Sequence, residues 1–124
     1  MFIKENVNPK KKTTDDCVIR AIAKAEGKDW LEIYDALSVI GRKYFTVQNS
    51  PDAYSKYLKN YQTIDVKYFN KEGIKKRYLV SDICNWKGTY VISIANHLTT
   101  VVDGDIYDLW DCGNRSAYKI WKIK

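Results

Sequence analysis

The dipeptide Asp103-Gly104 stands between two runs rich in β-branched and aromatic residues, His97–Val102 and Ile106–Trp110. Asp-Gly adopts positive φ readily, as the two-residue type I′ turn requires, and that turn matches the twist of antiparallel strands. The chain must therefore make a hairpin here, with its register fixed. Val102 pairs with Asp105, Val101 with Ile106, Thr99 with Asp108 and His97 with Trp110. Paired residues share a face, so His97, Thr99, Asp108 and Trp110 all project the same way. Asp111 points to the opposite face and is the weaker partner for His97.

Upstream the hydrophobic period is helical. Val18, Ile19, Ala21, Ile22 and Ala25 form a wide apolar stripe over about Asp15 to Ala25, with Thr14 as N-cap and Gly27 past the end. A second helix is expected from Asp29, capped by that side chain with Glu32 reaching back, and ending near Gly41. Ser50-Pro51 opens a third, to about Lys59. The period then changes: Thr63–Phe69 alternates as a half-buried strand. A short helical turn follows after Ser81, then an interior strand over Gly88–Ala95 and a last strand over Tyr118–Ile123. Helices first and strands after make an α+β order, with N-terminal helices packed on a C-terminal antiparallel sheet. Alternating βαβ units are absent, which disfavours a doubly wound nucleotide fold. At 124 residues the chain reads as a single domain over 1–124.

The three cysteines, 17, 84 and 112, are odd in number and show no CxxC spacing, and the chain has one histidine. No metal site and no cofactor are expected. No apolar run suggests a signal peptide or a membrane span, so the expected location is the cytoplasm with reduced thiols. The net charge of +6 fits acidic partners, but its lysine clusters read more simply as a solvated face. Tyr54, Lys56, Tyr57 and Lys59 could stack on and pair with nucleic acid, although helical spacing explains the two tyrosines equally well as core.

Cys17 would sit at N3 of the first helix, where unpaired N–H groups and the peptide dipoles favour a thiolate. Packing as a small buried hydrophobe is the competing reading, and the preceding Asp15 and Asp16 oppose a neighbouring negative charge. Arg20 is expected on the solvent side of the thiol. His97 is the one available imidazole, and Asp108, its diagonal neighbour in the hairpin, could fix its tautomer, with Trp110 shielding the bond from water.

The stretch Asp16-Cys17-Val18-Ile19-Arg20-Ala21, with the later run from His97 to Asp111, resembles the papain-like cysteine protease superfamily. The likeness is strongest to small papain-fold proteins of phages and prophages, with a DCxxRA helix and an H…DG…D-x-W hairpin. The resemblance implies a Cys17–His97–Asp108 triad, a peptide or protein substrate, and residence in the host cytoplasm if phage-encoded. Arg20 and Trp110 would lie near the substrate. Papain proteases carry a Gln six residues before the nucleophile as oxyanion donor, where this chain has Lys11, so Asn8 is the substitute donor expected. A papain fold without turnover, binding and inhibiting a host or defence protein, is the alternative.

Overall fold

The computed structural model describes residues 1–124. Its elements run β1 (Phe2–Lys4), α1 (Cys17–Glu26), α2 (Trp30–Tyr44), α3 (Pro51–Tyr57), β2 (Gln62–Ile64), β3 (Lys67–Phe69), β4 (Lys75–Arg77), α4 (Val80–Ile83), β5 (Thr89–Ile94), β6 (His97–Val102), β7 (Asp105–Asp108) and β8 (Lys119–Lys122). Six strands form one sheet in the order β1-β7-β6-β5-β8-β2, and β3 and β4 pair only with each other. The architecture is α+β. The sheet is mixed rather than wholly antiparallel, because β1 from the lead-in pairs parallel with β7. Three residues of edge strand carry too little pattern to be seen in advance.

Asp103 and Gly104 both take positive φ (48° and 88°), and the ladder runs Val102↔Asp105, Val101↔Ile106, Thr100↔Tyr107, the register expected from the Asp-Gly turn. β5 lies between β6 and β8 and is mostly buried, as an interior strand must be. Alternation then sorts the core into two layers. Val91, Leu98 and Trp121 join the inner faces of α1–α3, while Tyr90, Ile92, Ile94, Val101 and Ile106 pack beneath α4 with Cys112 and Ala117.

The helix ends differ from expectation in informative ways. α1 begins at Cys17, two residues late: Asp16 occupies the cap position but its side chain makes no cap bond, being spent elsewhere. Gly27 ends the helix in the left-handed conformation, its N–H meeting the Ala23 and Lys24 carbonyls. Asp29 likewise fails to cap α2 through its side chain. α2 runs through Gly41 to Tyr44 and turns off at Phe45, itself at φ 55°. Gly41 serves a close approach instead: a Cβ there would stand 2.8 Å from the Thr46 carbonyl. α3 has the expected start, Ser50 accepting from the Ala53 N–H with Pro51 in the first turn. The strand expected over Thr63–Phe69 is broken in two, because the Asp65 side chain takes the Lys67 N–H and redirects the chain into a separate ribbon. That ribbon turns on Asn70, whose side chain accepts from Glu72 and Ile74 N–H groups. The fourth helical turn is capped by Asp82, not Ser81, through the Leu79 N–H.

Candidate active site

Cys17 is the first residue of α1, so it stands at N1 rather than N3. The first helical bond in that turn is Arg20 N–H to the Asp16 carbonyl. The N–H groups of Cys17, Val18 and Ile19 therefore have no acceptor within the helix, and their dipoles surround the thiol. α1 packs chiefly on β6, and this brings Cys17 to His97, the first residue of that strand.

His97, Thr99 and Asp108 share a face, as the register demands. The His97 Nε2 proton is given to Asp108 Oδ2 at 2.6 Å, and the Thr99 hydroxyl donates to the same oxygen at 2.7 Å. Asp108 Oδ1 accepts from its neighbour's N–H, Leu109, at 2.7 Å and from Arg20 Nη1 at 3.2 Å. With Nε2 committed, Nδ1 is the ring atom left for the sulfur. Continuing the ladder would pair Leu98 with Leu109, but β7 stops at Asp108, and the Leu98 backbone N–H acts on the thiol, favouring its charged form.

Burial works against charge on Cys17, yet the hydrogen bond from His97, the Leu98 N–H and the positive charges of His97 and Arg20 outweigh it. The thiol pKa falls below its ordinary value. For His97, burial disfavours the cation, while the bonds to Asp108 and Cys17 and their negative charges carry the imidazole up to about 9. Asp108 is 2% exposed, and although burial alone would favour its neutral form, its bonds to His97, Thr99 and Leu109 hold it below the usual carboxylate range. All three shifts favour the charged forms, a thiolate beside an imidazolium backed by a buried carboxylate.

Thiol and imidazole line the same open cleft of about 770 Å³. Val18, Tyr54, Leu98, Leu109, Trp110 and Tyr118 give it apolar walls, and Asn49 and Asn96 contribute amides. The Trp110 ring lies against His97, centroids 4.9 Å apart, and covers one side of it. Asp111 is turned away, binding the Gly113 N–H.

Two expected site residues are placed differently. Asn8 does not line the cleft; its amide donates to Asp16 Oδ2 at 3.0 Å, so it is not the oxyanion donor. Arg20 is not on the solvent side of the thiol but 8% exposed, its guanidinium held between Asp16 (2.7 Å) and Asp108. Asp16, for its part, takes bonds from Arg20, Asn8 and Trp30 Nε1, which removes the objection that it repels the thiolate. The spacing of Asp16 and Arg20, four residues apart on one helix, was the sequence signal for this pair. Thr99 as a second donor to Asp108 could have been read from its shared face with His97.

His97, Asp108 and the buried Cys112 bring one ligand atom each within 4.8 Å of one another. The Arg20 guanidinium beside Asp108 makes this a poor cation site, since a fixed positive charge already occupies the carboxylate. No helix is long and apolar enough to cross a membrane. Comparison with protein-family models, with curated proteins and with solved structures found no match in any of the three.

Proposed function

We propose that this chain is a papain-like cysteine hydrolase that cleaves an amide bond in a peptide or protein by acyl transfer. One observation carries the reading: a helix-terminal thiol and an imidazole share a cleft, and the far nitrogen of that imidazole is bonded to a buried carboxylate. In the first step the Cys17 sulfur forms a bond to the substrate carbonyl carbon while the N–H of Cys17 faces the developing oxyanion. His97 then gives its proton to the leaving nitrogen, the C–N bond breaks, and an amine departs. Water attacks the resulting thioester with His97 taking a proton, the S–C bond breaks, and the carboxylic acid is released. The apolar walls with two amides suit a polypeptide chain carrying apolar side chains, and no cofactor enters these steps.

The test is incubation with an activated ester such as p-nitrophenyl acetate, followed by intact-mass and peptide mapping. A burst of nitrophenol, an acetyl group on Cys17 and its subsequent turnover are expected, all abolished in His97→Ala. Acetylation spread evenly over the three cysteines overturns the proposal.

A second reading is favoured by the engagement of Asn8 with Asp16 and by Lys11 in the usual Gln position, which leave the oxyanion to backbone donors. A papain-like binding protein without turnover would acetylate at Cys17 and stop there. Persistence of the acetyl adduct separates the two.

A further inference from the structure

How a carboxylate serves an imidazole depends on what holds its second oxygen. In this chain Oδ2 of Asp108 serves His97 and Thr99, and Oδ1 is shared by the Leu109 N–H and Arg20. Arg20 is itself fixed: its Nε is bonded to Asp16 Oδ1, and Asp16 Oδ2 is held by Asn8 from the lead-in and by Trp30 from α2. Asp16, Arg20 and Asp108 are 2%, 8% and 2% exposed. The helix that presents the thiol therefore also reaches across to the carboxylate behind the imidazole, three residues further along.

Resting on the hydrolase reading above, we infer that Arg20 is a positioning residue that orients Asp108 toward His97 and keeps it ionised while His97 is neutral. Once His97 has given its proton to the leaving group, Arg20 is the one cation still in contact with Asp108. A buried carboxylate without a cation takes up a proton. It would then no longer hold the Nε2 proton in place, and Nδ1 would lose its aim at the water that must attack the thioester. The other groups facing Asp108 cannot substitute. Asp16 is an anion, Thr99 is neutral, and Cys112 is held as a neutral thiol, burial pushing it up to about 11.

The experiment uses the full chain and needs no substrate. Iodoacetamide alkylation of Cys17 is followed against pH by mass spectrometry in wild type, Arg20→Lys, Arg20→Gln and the double variant Asp16→Asn/Arg20→Gln, with circular dichroism as the check on folding. Removing only Arg20 leaves two buried carboxylates, Asp16 and Asp108, without the cation between them; the double variant also neutralises Asp16 and leaves Asp108 alone, so it carries the test if Arg20→Gln does not fold. The half-point of alkylation should rise by about one pH unit, making the reaction ~tenfold slower below it. The low-field proton resonance of the His97–Asp108 bond should broaden or vanish with it. Lys keeps the charge but lacks the planar fork, so it should rescue only in part. A folded double variant with the wild-type half-point and resonance overturns the inference. Failure of the hydrolase reading looks different: wild-type Cys17 would react no faster than Cys84, while the resonance would still report whether Arg20 holds Asp108.

Discussion

Replacing Asp108 with Asn keeps the shape of the side chain and removes the charge that faces His97. The imidazole sits where burial would lower its pKa, and the hydrogen bonds and negative charges of Asp108 and Cys17 lift it from 6.5 to about 9. That displacement corresponds to about 3 kcal/mol of preference for the cation. Burial opposes the cation, and Asp108 is the stronger of the two partners that overcome it, so its loss should bring the midpoint down toward 6.5. The chain has one histidine, so a single Cε1–H resonance in an NMR titration reports it without assignment. Stability follows with a defined sign. A folded pKa above the unfolded one contributes stability that is complete below pH 6.5 and is lost as pH rises toward 9. Cys17 acts oppositely, its lowered pKa returning part of that stability as the thiolate forms. Urea unfolding across this window should show wild type losing at most about 3 kcal/mol and Asp108→Asn losing much less. An Asp108→Asn midpoint still near 9, or a wild-type midpoint near 6.5, refutes the electrostatic account.

Three further outcomes are expected. Cys112 is fully buried with its thiol pushed up to about 11, so at pH 8 a maleimide should label it only after denaturant is added, while Cys17 labels at once. Gly41→Ala places a methyl 2.8 Å from the Thr46 carbonyl and should cost ~1–3 kcal/mol in urea unfolding. A stability equal to wild type would mean the loop after α2 yields freely. Trp121, buried between α3 and the sheet and edge-on to Tyr54 at 5.9 Å, should cost ~3–5 kcal/mol as Trp121→Ala, read by the same method.

The parts of the fold legible in the sequence are those set by local chemistry. Asp103-Gly104 fixed a register, and with it the shared face of His97, Thr99 and Asp108, because a two-residue turn leaves the ladder no freedom. Ser50-Pro51 and Gly27 marked helix ends for equally local reasons. What escaped was decided by partners distant in sequence. Asp16 gave up its capping role to bind Arg20, Asn8 and Trp30, which moved the start of α1 to the thiol itself. Arg20 was expected in solvent because a helical wheel shows only α1, and the carboxylate that buries it comes from β7. The pairing of β1 with β7, and the small β3–β4 ribbon, join segments too short to announce a period. Glu26 shows the same effect: Tyr57 and Tyr61 both donate to it, tying the end of α1 to α3, a contact that no spacing predicts.

The hydrolase reading requires that sulfur and imidazole form an ion pair before any substrate arrives. Ultraviolet thiolate absorbance, taken as the difference between wild type and Cys17→Ser across a pH titration, measures this directly. One thiolate should be present well below the pH at which an ordinary thiol ionises, and it should disappear in His97→Ala. Absorbance that grows in only near pH 9 and is indifferent to His97 would contradict the account.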